Sequence, residues 1–452
     1  MRNDQTSPMT GSFWVDNERI IFGHLSLSGE DSLLYLRDDY HFKTNHLLHS
    51  DIHGSLHDLR KVSLIDCICP SEPGRYGGPT GIYYFSEIFP HYVLTGSDHL
   101  KSSDKQIIGI SFTIEDATSV LYDFDTFSMV LNAKDYIHEL VNSNTHDREV
   151  EVGSNPIIGY YTGKHTIFQS KTSIGTVYAT HAPSFSLGGP SGINIENTIF
   201  INIDFDQPLE FKECLDRTYS VCQFFEIMAG RPQKMHRWHL RLDSSSIDAP
   251  VLEVYSSMQS AKERLAEERG VHPADVPLDG ARQPDHFSNV LALWLERQPS
   301  WKEARGRYLN CLRKRNLYDA DRIVAAANMF DILPDAAVES EVVLSDELAD
   351  AKRRCRAILK ELPKGQEREG ALNLLGRIGR SGLKQKVRQR TGLVMKKVED
   401  VFPDLYIVAD AAVDCRNHYV HGPPSGSKID YSAHTDMLAC SCSPPGGRPV
   451  SF

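Results

Sequence analysis

Arg416 and His421 are the residues in this 452-residue sequence whose types and spacing best suit chemistry. They stand five apart in Arg416-Asn417-His418-Tyr419-Val420-His421. On a helix they would point about 140° apart, with Asn417 and Val420 between them. A guanidinium binds phosphate through its fixed fork of donors. An imidazole transfers protons near neutral pH. Cleaving RNA through its own 2′-hydroxyl requires a base for that proton, an acid for the leaving oxygen and a cation for the charged phosphorus. Arg416, Asn417 and His421 could supply these without a metal or cofactor. The competing reading is structural, because an Arg and a His near a helix C-terminus can simply satisfy its dipole and last carbonyls.

Other groups carry less. His46, His49, His53 and His57, with Asp51 and Asp58 nearby, match no recognised ligand spacing and read as surface. Cys67-x-Cys69 and Cys440-x-Cys442 are spaced too closely for the usual zinc pairs and read as reduced thiols. Gly74–Gly81 lacks the Lys-Ser/Thr ending of a phosphate loop and reads as a flexible loop. Trp14, Trp238, Trp294 and Trp301 read as core residues.

Charge is unevenly placed. The net charge of −11 argues against a nucleic-acid coat over the whole chain. Lys352–Asp400, however, holds fifteen Lys/Arg against five Asp/Glu. A basic stretch in an acidic chain is the footprint expected for a polyanionic partner, although such runs also simply solvate helices. The sequence has no signal-peptide start and no run of about 18 apolar residues, so the expected setting is soluble and cytoplasmic, with no membrane. The nine scattered cysteines fit that setting.

The elements that must position Arg416 and His421 follow from periodicity. Short β-branched stretches, including Arg19–Leu25, Ser32–Leu36, Lys61–Cys69, Ile107–Ile114 and Asn197–Ile203, alternate with turn clusters. Leu209–Met228 reads as a helix, then strands return at His236–Leu242 and Val251–Tyr255. From about Pro284 the spacing predicts helices at Phe287–Glu296, Trp301–Arg315, Asp319–Met329, Asp346–Leu362, Glu367–Arg380 and Leu383–Val401. A last helix is predicted from Pro403-Asp404 to Val420, burying Leu405, Val408, Ala412 and Cys415 and stopped by Gly422. The expected fold class is α+β multidomain: antiparallel β-rich subdomains at 1–142 and 143–283, a helical domain at 284–440 and a disordered tail at 441–452.

The Arg416–His421 segment, followed by Gly422 at the end of a long helix late in a helical region, resembles the HEPN superfamily. More narrowly, it resembles the HEPN domain of ApeA-like anti-phage defence proteins. Ala371–Ile378 sits where that family has a helix. Gly11-Ser12-Phe13-Trp14, Phe22-Gly23-His24-Leu25 and Ile52-His53-Gly54 leading into Val62–Cys67 are similar to its β-rich region in order. The resemblance implies a metal-independent endoribonuclease for antiviral defence by abortive infection. Arg416 and His421 would be catalytic, with Asn417 orienting the pair or the phosphate, and His418 an RNA contact at most. It also implies an RNA substrate, pairing of two copies through the helical domain, and a β-rich sensor or restraint that answers a phage-derived trigger. A catalytically silent HEPN module that binds nucleic acid or a partner protein is the alternative. HEPN domains usually continue with a full helix after the motif, whereas Lys428–Leu438 gives way to Cys440-Ser441-Cys442-Ser443-Pro444-Pro445, so a shortened final helix is expected.

Overall fold

The computed structural model describes residues 8–16, 19–42, 50–69, 73–79, 81–143, 151–186, 190, 192–244, 249–258, 270–314, 319–334, 337, 344–398 and 402–422. The fold is α+β, an antiparallel β region followed by helices. It divides into a β unit, 1–229 with 233–296, and a helical unit, 297–452 with 230–232.

The β unit begins with β1 (Met9–Asp16), β2 (Arg19–Ser26), β3 (Leu33–Asp38), β4 (Ser50–Leu56), β5 (Lys61–Ile68), β6 (Gly74–Gly78) and β7 (Gly81–Gly96). Pairings run β7-β3-β2-β1-β4-β5, and β5 returns to β7, so these strands close a barrel. Alternation along each strand sends one set of side chains inward. Phe13, Ile21, Leu25, Leu34, Leu36, Ile52, Val62, Leu64 and Ile88 form that interior. Phe13 fills the space left by two glycines on neighbouring strands. A Cβ at Gly54 would stand 2.7 Å from the Phe13 ring and 2.7 Å from the Ser12 carbonyl oxygen. One at Gly23 would stand 2.8 Å from Leu36 and 3.1 Å from Phe13.

The sheet continues beyond the barrel through β8 (Ile107–Ile114), β11 (Thr166–Thr172), β12 (Gly175–Phe185), β13 (Ile195–Leu209), β14 (Met235–Leu242) and β15 (Val251–Ser256). Their order from β7 is β15-β14-β8-β13-β12-β11. A separate two-stranded ribbon joins β9 (Phe127–Leu131) to β10 (Ile157–Tyr161), and two helices lie nearby in sequence, α1 (Ala117–Val120) and α2 (Lys134–Ser143). Helix α3 (Phe211–Ala229) packs Phe211, Leu215, Val221, Phe224 and Phe225 into a second core with Ile110, Phe112, Ile201 and Leu240. The β unit thus has two hydrophobic cores and one hydrogen-bonded path of strands. Strands from both sides of the boundary expected at residue 142 join that path.

Several expectations change. Gly74–Gly81 is not a flexible loop: β6 pairs with the start of β7, Gly78 facing Gly81, and Gly81 takes φ +126 at the turn. Glycine tolerates that value, which side chains rarely adopt. The two helices read at 287–296 and 301–315 are one, α4 (Pro284–Arg313), with Pro299 inside it. A proline removes one backbone hydrogen bond. Buried Leu291, Leu295 and Ala304 hold the turns on either side. Trp238 is buried, but Trp14 is 38% exposed and meets His99 edge-on. His46, His49, Cys440 and Cys442 lie outside the described residues, among which no group of three or more metal-ligating side chains occurs.

A polar cluster, with Asp123 and His181 buried and Lys164 more exposed, ties the β9–β10 ribbon region to the sheet. Lys164 Nζ lies 2.6 Å from Asp123 Oδ2. His181, fully buried on β12, places Nε2 3.6 Å from the same oxygen. Asn197 Nδ2 donates to His181 Nδ1 at 3.0 Å, which keeps the ring proton on Nε2, toward Asp123. Burial pushes the Asp123 carboxyl up, but Lys164, Thr126 and His181 outweigh it and hold it below the usual range. Burial lowers His181, and Asp123 only partly opposes that.

Two predictions follow from this packing and charge. Gly54→Ala should destabilise the β unit by about 1–3 kcal/mol through overpacking at Phe13. An unchanged denaturation midpoint would show that the barrel has slack there. Asp123→Asn should cost about 1–3 kcal/mol at pH 7, the range for leaving buried partners unsatisfied. The stability from a depressed carboxyl is present above its unfolded value of about 3.9 and is lost as pH falls through the folded value. The gap between wild type and Asp123→Asn should therefore close below about pH 4. The depressed His181 adds a loss of wild-type stability as pH falls below about 6.5, because there the unfolded chain binds the extra proton. Thermal melts between pH 3 and 8 check both, and a pH-independent gap would contradict the assignment.

Candidate active site

The helical unit holds the rest of α4, then α5 (Ala320–Asp331), α6 (Asp346–Glu361), α7 (Gln366–Arg377), α8 (Leu383–Val398) and α9 (Leu405–His421). Two N-caps are set by sequence. Asp319 Oδ1 accepts from the Arg322 amide at 2.8 Å, and Ser345 Oγ accepts from the Leu348 amide at 3.3 Å. Pro403 and Asp404 form a turn before α9 rather than its first residues, and Asp404 makes no side-chain cap. Gly422 closes the helix with φ +80, its amide donating to the His418 carbonyl at 2.9 Å.

Helix α9 packs on α5 and α8. Cys415 is buried against Ile323 of α5, and Val413 is buried too. Leu405, Val408 and Ala412 are only half-buried, so the expected apolar stripe is correct in part. Salt bridges cover the α8 side. Arg388 forks onto the Asp410 carboxylate, and Lys384 Nζ reaches Asp414 at 2.9 Å. Arg388 donates to Asp410 and holds that carboxyl below its usual range.

Arg416 points from α9 toward α5. Its Nε and Nη2 donate to Asn328 Oδ1 at 3.1 and 2.7 Å, and its Nη1 donates to Asn417 Oδ1 at 3.1 Å. Asp331, also on α5, places Oδ2 3.7 Å from Arg416 Nη2, and its Oδ1 stands 4.0 Å from Lys386 Nζ. The Arg416 side chain keeps 14% of its surface exposed. His418 is half-buried with its ring edge-on to Tyr419. The backbone of His421 is the last residue of α9, and the placement of its side chain lies outside the description. Lys428–Leu438 and the tail at 441–452 also lie outside it.

Asn328 and Asp331 are absent from the sequence-based set. Arg416 and Asn328 are 88 residues apart, and α5 reads as an ordinary amphipathic helix. Only the packing of α5 on α9 brings them together.

The basic segment is partly occupied by the fold. Lys352 Nζ donates to the Ile378 carbonyl, Arg368 to those of Leu359 and Lys360, and Arg390 to that of Ala337. Arg353 and Arg354 pair with Asp350. Arg356, Lys364, Arg377, Arg380, Lys396 and Lys397 form no ion pair among the described residues.

The model of the family ApeA N-terminal domain 1 matches residues 8–294, more than half of the chain. The chain belongs to this family, that of the N-terminal domain of the ApeA anti-phage protein. Curated proteins and solved structures give no match. The matched residues end within α4, so Arg416, Asn417 and His421 lie beyond them. No helix among the described residues is long and apolar enough to cross a membrane.

The α5–α9 contact makes a chemical prediction. Cys415 is buried, which pushes its thiol up, whereas Cys355 is exposed. In the native protein an alkylating reagent should modify Cys355 well before Cys415, since the thiolate is the reactive form. Equal rates by peptide mass spectrometry would show that α9 does not stay packed on α5.

Proposed function

We propose that this anti-phage family member is a metal-independent endoribonuclease acting in abortive infection through Arg416, Asn417 and His421. One observation carries the reading. The Arg416 guanidinium is held in a fixed orientation by side-chain oxygens of Asn328 and Asn417, five residues before His421 at the end of α9. A fixed guanidinium is the group to meet the charged phosphorus as the 2′-oxygen attacks. His421 would move a proton between the 2′-hydroxyl and the leaving 5′-oxygen, giving a 2′,3′-cyclic phosphate and a 5′-hydroxyl end. Two copies would supply two such sets, one acting as base and one as acid. Ile358, Leu374, Leu393 and Ile407 are exposed apolar residues in this unit, Ile407 at 70%, and a second copy would cover such residues where they lie on the shared face. The unpaired cations of the basic segment would track the RNA backbone, and the β unit would sense a phage-derived cue or restrain the helices. The expected location is the cytoplasm.

The silent-module alternative keeps one observation of its own. The same hydrogen bonds make Arg416 a clamp between α5 and α9, which is what a purely structural arginine does.

Incubating labelled RNA with the protein in EDTA decides between them. Cleavage should persist in EDTA and fall at least about 100-fold in His421→Ala and in Arg416→Ala, the scale of a lost proton-transfer or phosphate-binding group. Circular dichroism should show both variants folded. Folded variants that cleave like the wild type would remove the assignment, and a wild type that binds RNA without cutting it would favour the silent module.

A further inference from the structure

The outer face of the barrel groups aromatic rings with unspent charge. Alternation sends Phe22 and His24 of β2, Tyr35 and Arg37 of β3, and Phe85 and Glu87 of β7 outward. Strand register lays them in two rows, Phe22-Arg37-Phe85 and His24-Tyr35-Glu87. The Tyr35 and Phe85 rings stack at 6.0 Å, and the Arg37 guanidinium lies over the Tyr83 ring at 4.0 Å. Phe22 is 58% exposed. Phe22, His24, Tyr35, Arg37, Asp38 and Asp39 line an open cleft of about 430 Å³. Small-molecule sites span about 300–1,000 Å³.

The charged groups of this cleft are unequally engaged. Asp38 belongs to the frame, since it pairs with Arg19 at 2.9 Å and accepts from the Tyr40 amide at 3.0 Å. The Arg37 and Asp39 side chains form no hydrogen bond or ion pair among the described residues. Three chemistries therefore stand side by side. A ring face stacks on a planar heterocycle. A guanidinium fork takes a phosphate. A carboxylate accepts from ribose hydroxyls. One free cation near Asp39 and Glu87 matches a single phosphate, whereas a polyphosphate would bring more negative charge than Arg37 offsets.

We propose that this cleft binds a ribonucleoside monophosphate, free or as the phosphate-bearing end of an RNA strand. The base stacks on Phe22, the phosphate meets Arg37 and the ribose hydroxyls donate to Asp39. The site lies wholly within the β unit, and its test does not depend on RNA cleavage.

Calorimetric titration of the full-length protein tests this with AMP, GMP, CMP and UMP, their 2′-deoxy forms, their nucleosides and inorganic phosphate. At least one ribonucleoside monophosphate should bind. Arg37→Ala should weaken it at least about tenfold, the loss of a charge-assisted contact, and leave it no tighter than its nucleoside. Phe22→Ala should weaken it at least about fivefold through lost stacking. Asp39→Ala should remove the preference over the 2′-deoxy form. All three side chains are exposed, so each variant should melt like the wild type. A short 5′-phosphorylated RNA separates the sources. Tighter binding than the monophosphate assigns the site to a strand end, weaker binding assigns it to a free nucleotide, and either supports the site. No binding of any of the four at millimolar concentration would overturn the proposal. So would binding unchanged in both Arg37→Ala and Phe22→Ala, or inorganic phosphate binding as tightly as every monophosphate.

Discussion

Strand β7 has to satisfy its backbone on two edges over sixteen residues, and the β unit is arranged around that requirement. Tyr84–Ile88 pair with β3, and Phe89–Gly96 pair with β5, which closes the barrel. Gly81–Phe85 also pair with β6, and Tyr92–Gly96 with β15, which carries the sheet on beyond the barrel. Unpaired strand edges invite aggregation. Here each stretch of β7 changes partner where one neighbour ends and another begins. Pro90 lies at the change between β3 and β15. Across from the next residue, His91, Asp66 takes φ +56 and its carbonyl accepts from the His91 ring at 2.5 Å. A proline inside a sheet is tolerated where the ladder is distorted in this way.

This sharing explains why two hydrophobic cores coexist in one family-matched region. Side chains on β7 alternate, so Val93 enters the barrel core, while its neighbour Leu94 joins the core under α3. A change in either core reaches the other through a strand that neither can give up. The cluster of buried Asp123 and His181 with the more exposed Lys164 adds a pH-sensitive tie at the end of the sheet farthest in strand order from the barrel.

The helical unit is built differently. Its buried groups are small, Ile323 with Cys415 and Ala304 with Leu333, and much of its α8–α9 contact is charged. Exposed ion pairs contribute little stability each, so such a unit depends on directional contacts. Arg416 is one of these, and its partners on α5 decide which way it faces. The same contact serves packing and, in the proposed reaction, the placing of charge.

Much of this was legible in the sequence. The strand at Ile107–Ile114 and the helices near 211–229, 346–361 and 383–398 follow from periodicity and from caps such as Ser345, because those signals are local. Phe13, Gly23 and Gly54, met first as parts of three short resembling stretches, are legible in hindsight as one packing unit, but only strand register shows that a phenylalanine lies between two glycines. The Gly-rich stretch at 74–81 reads as a loop because a hairpin strand with little side chain has no hydrophobic alternation to detect. By itself the sequence determined the α+β order and the spacing of Arg416, Asn417 and His421 along one helix. Tertiary structure alone decided that β7 serves both the barrel and the sheet beyond it, and that Arg416 faces Asn328 and Asp331. Both depend on contacts between residues far apart in the chain, which no local pattern encodes.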